Sequence, residues 1–377
     1  MKTGLYVHFP FCISKCIYCD FNSGVAPEQL RQEYLAALET SIRRRLCPLA
    51  DRQIATIFFG GGTPTLYPAA DLVGVLDTVR ECAGVLEDAE ITCEANPETV
   101  DADKLRAMRA GGFTRLSLGV QSLDDAELRL LGRAHTADRA REAVSAAREA
   151  FDNISVDLIY GIPGQTPDTW AATLGEIIDL RPDHVSAYGL MIEEETPLYE
   201  MVEAGEVVPL DDEAHIGFYE QAGEMLRGAG FSHYEISNYA HEGRQCRHNL
   251  IYWRNQEYLG CGAGAASYLD GERSSNIADA RTYINAVNGE WPVIAEAEHL
   301  DGRARAGESI MLALRTAEGA DLRAISADCG VDIEAGHAEL LAWLVEEGIA
   351  TYEEGVLRLT PERGWLLHSE VARRFLV

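Results

Sequence analysis

Cys12-Ile13-Ser14-Lys15-Cys16-Ile17-Tyr18-Cys19 sets three cysteines at C-x3-C-x2-C spacing, directly behind the apolar run Leu5-Tyr6-Val7-His8-Phe9. Three thiolates in one short loop match three of the four irons of a [4Fe–4S] cube and leave the fourth iron open. An amino-carboxylate chelator can occupy that open position. Two other readings compete. A structural zinc site calls for a fourth Cys or His, usually as a second C-x2-C pair. Here Cys47, Cys82, Cys93, Cys246, Cys261 and Cys329 are scattered singly. A disulfide framework does not suit a long chain with nine cysteines and no secretory signal.

Outward from the cysteine loop, β-rich runs alternate with helical periodicity. Leu5–Phe9 reads as a strand whose C-terminal end delivers the loop. A helix follows from about Pro27 to Leu46, with Leu30, Tyr34, Leu38 and Ile42 on one face. Then come strand Ile54–Phe59, helix Asp71–Cys82, strand Glu90–Glu94 and helix Asp101–Ala110. Strand Arg115–Leu118 precedes helices near Asp124–Leu131 and Ala137–Phe151. Strand Ile154–Tyr160, helix Pro167–Leu180 and strand His184–Leu190 close the alternation. These six β–α steps imply parallel strands with helical crossovers, an α/β fold and a partial (β/α)6 TIM-like barrel. In such barrels the chemistry gathers at the C-terminal strand ends. Cys12, Gly60, Glu94 and Gln121 all fall there.

The expected division is residues 1–235 for the partial barrel, 236–300 for a connecting segment and 301–377 for a small C-terminal α+β unit. The stretch Phe231–Leu269 reads as irregular, aromatic and glycine-rich. The last unit reads as helices, a hairpin at Glu353-Glu354-Gly355 and a final helix Pro361–Phe375, in the manner of a winged helix. Between Asp301 and Val377 it carries 8 Arg and no Lys against 14 acids, a net of −6, which speaks against nucleic acid. The whole chain, at −29 from 61 acidic and 32 basic residues, points the same way. No apolar run approaches the ~20 residues that span a bilayer, and no targeting peptide is evident, so the expected location is the cytoplasm, where unpaired thiols persist.

Several residues carry chemistry. Gly60-Gly61-Gly62-Thr63-Pro64-Thr65 follows an apolar strand, and its glycines allow close backbone approach to a ligand beside the cysteine loop, or simply a tight turn. Glu94 closes its strand either as an acceptor for a ribose or amino group or as a solvated acid. Asp157 stands in the otherwise apolar strand Ile154–Tyr160 and needs a partner, for which Arg133 is the candidate; the pair is either an internal ion pair or a ligand contact. In Cys246-Arg247-His248-Asn249-Leu250-Ile251-Tyr252-Trp253, His248 can ligate iron while Tyr252 and Trp253 stack on a flat macrocycle. The alternative is a satisfied histidine beside core aromatics.

The runs Tyr6–Cys12, Gly60–Thr65, Leu118-Gly119-Val120-Gln121-Ser122, Asp157–Pro163 and Leu359-Thr360-Pro361-Glu362-Arg363-Gly364 resemble the oxygen-independent coproporphyrinogen III oxidase group of radical SAM proteins, across nearly the whole chain. In that superfamily the open iron binds S-adenosylmethionine (SAM) and a deoxyadenosyl radical results. Within the group, three features resemble the heme chaperone branch, HemW. Asp20-Phe21 stands where the oxidase carries a further cysteine, only five residues precede Tyr6, and residues 248–253 read HNxxYW. The resemblance implies that Cys12, Cys16 and Cys19 ligate the cluster and that Tyr6, Tyr18, Gly61 and Glu94 contact SAM. It assigns Gly62, Thr63, Gln121, Arg133 and Asp157 to a second SAM, with Met191 in place of the oxidase's alanine. Heme or another tetrapyrrole is then the cargo, with heme-acceptor proteins as partners. The enzymatic alternative is decarboxylation of coproporphyrinogen III or another radical SAM modification of a tetrapyrrole.

Overall fold

In the computed structural model, which describes residues 2–376, strands β1 (Lys2–Phe9), β2 (Gln53–Gly61), β3 (Gly84–Ala95), β4 (Arg115–Gln121), β5 (Ile154–Tyr160) and β6 (His184–Gly189) lie side by side in sequence order, every neighbouring pair parallel. Helices α1 (Glu28–Leu46), α2 (Ala69–Cys82), α3 (Ala102–Ala110), α4 (Asp125–Leu130), α5 (Ala137–Ala150) and α6 (Pro167–Asp179) make the crossovers. The strand period of two sorts the residues. Leu5, Val7, Phe9, Ile57, Phe59, Leu116, Leu118, Val156 and Leu158 point outward and are sealed under the helices with Leu38, Ile42, Leu76 and Val79. Tyr6, Phe58, Glu94, Ser117, Asp157 and Ser186 point inward and line a cavity.

The sheet does not stop at six strands. Helices α7 (Pro197–Glu203) and α8 (Asp212–Gly228) lead to β7 (Ser232–Glu235) and β8 (Asn238–Ala240), and β8 runs antiparallel to β6. Beyond helix α9 (Arg247–Trp253), β9 (Tyr258–Cys261) pairs in parallel with the other side of β1. Strands β10 (Ala266–Leu269), β11 (Glu272–Asn276) and β12 (Ile294–His299) extend that edge to twelve strands in all. Residues 231–269 are therefore strand-rich rather than irregular. Their strands are three or four residues long, too short for a period of two to show.

Helix α10 (Ala280–Asn288) packs on α1. The C-terminal unit has its own core, with Ile310, Leu314, Leu322, Leu344, Leu357 and Trp365 buried. It contains α11 (Gly302–Ala313), β13 (Ala320–Asp321), α12 (Leu322–Cys329), α13 (Ile333–Gly336), α14 (Ala338–Glu346), β14 (Ala350–Glu353), β15 (Val356–Leu359) and α15 (His368–Arg373), with sheet order β13-β15-β14. The long final helix expected from Pro361 is confined to α15, because residues 361–367 form turns. The unit joins the barrel through the β7–β8 turn: Ile236 N–H donates to the Arg315 carbonyl, and Arg315 reaches back to buried Glu235 at 3.6 Å. Cys47 and Cys82, separate thiols as far as spacing tells, form a disulfide where α1 and α2 end, with Cα atoms 4.3 Å apart. Among the described residues no helix is long and apolar enough to cross a membrane.

Candidate radical SAM site

The cysteine loop leaves β1 at the C-terminal ends of the strands and closes on itself. Cys12 N–H donates to the Gly24 carbonyl at 2.9 Å, and Gly24 N–H to Pro10 at 3.0 Å. A second tie runs from Ile17 N–H to Leu131 beyond α4, where Gly132 at φ +69° leaves room for the Ile17 side chain. Each thiol has a polar neighbour: Thr63 Oγ1 donates to Cys12 Sγ at 3.5 Å, an Arg133 N–H donates to Cys16 Sγ at 3.3 Å, and Cys19 Sγ lies 3.9 Å from Ser23 Oγ. Burial pushes the Cys19 thiol up. Among the described residues no three Cys, His, Asp or Glu side chains converge tightly enough for a single ion. A four-iron cube places each thiolate on a different iron, so its ligands stand wider apart than those of one ion. Three thiols in one loop, with donors aimed at two of the sulfurs, fit a cube that keeps one iron open. The chemistry such a cluster supplies, with SAM bound, is one-electron reduction of the sulfonium.

The glycine turn lies beside this loop. Gly62 and Thr63 N–H groups donate to the Phe9 and Phe11 carbonyls at 2.8 and 2.9 Å, which stitches the end of β2 to the cysteine loop. Gly61 has φ +110°, and a Cβ there would lie 2.3 Å from the His8 ring, so only glycine fits. Its N–H donates to Glu94 Oε2 at 3.0 Å. Enclosure in the barrel, with Asp157 as a second source of repulsion, pushes the Glu94 carboxyl up to about 7.

Below the turn lies a cavity of about 230 Å³, lined by Tyr6, Phe58, Glu94, Arg115, Ser117, Asp157, Ser186 and Tyr188 from the strands and by His248, Asn249 and Tyr252 from α9. The residues expected to touch SAM thus divide into three groups. Tyr6, Glu94 and Asp157 line the cavity. Gly61, Gly62 and Thr63 form the turn. Gln121 and Arg133 converge over Gly119, where a Cβ would meet both at 3.0 and 3.4 Å, and Tyr18 packs against Arg133. Gln121 ends β4 in the left-handed region, at φ 68°. Met191 stands 68% exposed past the end of β6 and does not line the cavity.

One pairing read from the sequence is corrected. Arg133 does not partner Asp157: it holds Cys16 Sγ and the Gly119 carbonyl, the latter at 2.6 Å. Asp157 is satisfied instead by hydroxyls on its own and both neighbouring strands, Ser186 at 2.8 Å, Ser117 at 3.2 Å and Ser155 at 3.5 Å. Burial still pushes its carboxyl up. The cation that acts on it in the barrel is Arg115, a fully buried guanidinium that spacing alone did not single out.

The HNxxYW segment forms α9 and closes the barrel from below. Glu90, inward on β3, caps it by accepting from Arg247 and His248 N–H at 3.1 and 3.0 Å. The His248 ring is 0% exposed and both its nitrogens are engaged, Nδ1 with Thr56 Oγ1 and Nε2 with Tyr252 Oη, each at 2.7 Å. Burial lowers its pKa to about 3, so it is neutral. Tyr6, Phe58 and His248 form a triangular ring cluster, with centroids 6.2, 5.2 and 6.5 Å apart. Trp253 faces away from the barrel, under the Arg315 guanidinium at 4.5 Å. The histidine offers no free nitrogen to an iron, and the two aromatics offer no open pair of faces.

Residues 6–177 match the Radical SAM superfamily, and residues 300–367 match the HemN C-terminal domain. The chain is 35% identical over 381 residues to a protein named heme chaperone HemW from Mycobacterium tuberculosis, covering 99% of this chain and 94% of that one. It is 33% identical over 378 residues to the Bacillus subtilis HemW, covering 100% and 99%. Among solved structures, the radical SAM coproporphyrinogen III oxidase HemN of Escherichia coli superposes with a TM-score of 0.86 at 25% identity, over 99% of this chain and 89% of that one. With the cysteine loop at the mouth of a parallel barrel and kinship running the full length, the chain belongs to the HemW branch of the radical SAM superfamily.

Proposed function

We propose that this protein binds heme and hands it to acceptor proteins in the cytoplasm, with a [4Fe–4S] cluster on Cys12, Cys16 and Cys19 and SAM held at the barrel mouth governing transfer. The observation that carries this reading over the oxidase is kinship along the whole chain: 35% identity over 99% of its length to a protein named heme chaperone HemW, against 25% to the oxidase structure. The barrel cavity holds the Tyr6, Glu94 and Asp157 positions assigned to SAM. The chain's own groups have clear parts to play. The Gly61 N–H holds Glu94 in place to receive an ammonium, and His8, 3.0 Å from the Tyr6 hydroxyl, fixes the Tyr6 ring in the cavity wall.

The decisive experiment is anaerobic. Reconstituted protein is incubated with SAM, reductant and coproporphyrinogen III, and in parallel titrated with hemin. Stoichiometric hemin capture without protoporphyrinogen supports the chaperone. Catalytic formation of protoporphyrinogen overturns it.

A further inference from the structure

We propose that the cargo docks on the outer face of the cluster loop, its macrocycle lying on Ile13, Phe21 and Val25 and one propionate pairing with Lys15. The proposal rests on the heme-chaperone reading and names the site that reading lacks. The HNxxYW helix does not supply it, since His248 is fully covered and doubly bonded and Trp253 is stacked under Arg315. The barrel cavity is lined by Tyr6, Glu94 and Asp157, the positions assigned to SAM.

The cluster loop has the opposite character. Ile13 is 45%, Phe21 64% and Val25 67% exposed. The Cys12–Gly24 and Gly24–Pro10 bonds hold the loop closed at its base, and Asn22 anchors it further by donating to the Ala263 and Ala278 carbonyls at 3.2 and 3.0 Å. The apolar side chains therefore stand outward on a pinned backbone. Three large exposed apolar groups, two in the loop and one directly after its base, are the kind of surface a partner or ligand covers.

Charge identifies the class of ligand. The chain carries −29, and its only lysines are Lys2, Lys15 and Lys104. Lys2 begins β1, at the far end of the barrel from the loop. Lys104 is turned inward onto the Thr65 and Thr99 carbonyls. Lys15 alone stands at the mouth, its Nζ 3.4 Å from the Phe21 carbonyl, with no carboxylate paired to it among the described residues. An unpaired ammonium beside an apolar face, on an otherwise acidic protein, suits a flat apolar molecule with an anionic edge. Heme has that make-up. A cargo laid on an open loop also keeps one face exposed, so an acceptor can engage it before the chaperone lets go.

The test uses the full-length protein, reconstituted anaerobically and titrated with hemin by its Soret absorbance, with iron content measured on each sample. Phe21→Ser and Lys15→Glu should each weaken hemin binding about tenfold or more at unchanged iron content, and Lys15→Arg should restore it. Hemin dimethyl ester should bind wild type and Lys15→Glu alike. Unaltered hemin affinity in Phe21→Ser and Lys15→Glu overturns the docking site while leaving the chaperone reading intact. Loss of affinity that simply follows loss of iron also overturns it, because the cluster and not the loop face would then hold the cargo. Wild-type protein that captures no hemin at all sinks the parent reading.

Discussion

Replacing His248 by alanine separates a structural role for HNxxYW from a heme-ligating one. The substitution strips the partners from two buried hydroxyls, Thr56 Oγ1 and Tyr252 Oη. Leaving a buried polar group unpaired costs about 1–3 kcal/mol each. The missing ring also opens space beneath Phe58, adding to the loss. A total of about 4 kcal/mol is expected, concentrated where α9 meets β1 and β2. A chain with a barrel and a separate C-terminal core is a poor case for one two-state unfolding energy, so the readout is local. Hydrogen exchange by mass spectrometry should show amides of Arg247–Trp253 losing protection about a thousand-fold, the equivalent of 4 kcal/mol, while hemin affinity changes by less than about twofold. The pH dependence checks the same point. A histidine held neutral, with its pKa lowered to about 3, stabilises the fold fully above the unfolded value near 6.5, and that contribution is lost as the pH falls from there towards 3. Wild-type α9 should lose protection across that window, and His248→Ala should lack the slope. Hemin affinity falling tenfold with α9 protection intact would refute the floor assignment and return the imidazole to the cargo.

Glu94 has the opposite sign. A carboxyl raised to about 7 favours the fold while protonated, so its contribution is complete below about 4.5 and lost as the pH rises to 7. Across that range cluster-free wild type should weaken relative to Glu94→Gln by about 3 kcal/mol, as measured by hydrogen exchange at the amides of β3 and β4. Gly61→Ala forces a Cβ into the His8 ring at a positive φ; it should cost about 1–3 kcal/mol and lower iron retention after reconstitution, read by elemental analysis. Arg315→Ala leaves Glu235, 0% exposed, without its cation and uncovers Trp253. A loss of about 2–4 kcal/mol should appear as faster proteolysis between the barrel and the C-terminal unit, and an unchanged cleavage rate would show that this contact does not hold the two together.

How much of this was legible depended on the range of the interaction. The β–α alternation is local, and each helix and strand through β6 carries its own period, so the parallel order and the clustering of Cys12, Gly60, Glu94 and Gln121 at one end could be read directly. The floor of the barrel could not. α9 is seven residues long, and its cap comes from Glu90. Tyr252, four residues on, holds one nitrogen of its histidine, but the other is held by Thr56, 192 positions away. Without that distant partner the segment reads equally as a pinned ring or an open ligand. The Cys47–Cys82 bond was hidden for the same reason, its two halves lying 35 residues apart.

The Arg133–Asp157 pairing failed differently, and its failure points to a better reading. A lone carboxylate in an apolar strand was matched to Arg133 as its candidate cation, although alternation already held the answer. In β4 the outward Leu116, Leu118 and Val120 are each 0% exposed, so Arg115, Ser117, Gly119 and Gln121 must share the inner face. On β5 the same rule turns Ser155 and Asp157 inward, and on β6 it turns His184, Ser186 and Tyr188 inward. Parallel pairing then sets Ser155 beside Ser117 and Ser186 beside Asp157. The acid's partners were therefore short hydroxyls in register on adjacent strands, too ordinary to be noticed one at a time. The buried Arg115 was visible by the argument already applied to Asp157, because a charge inside an apolar strand is as informative when it is positive.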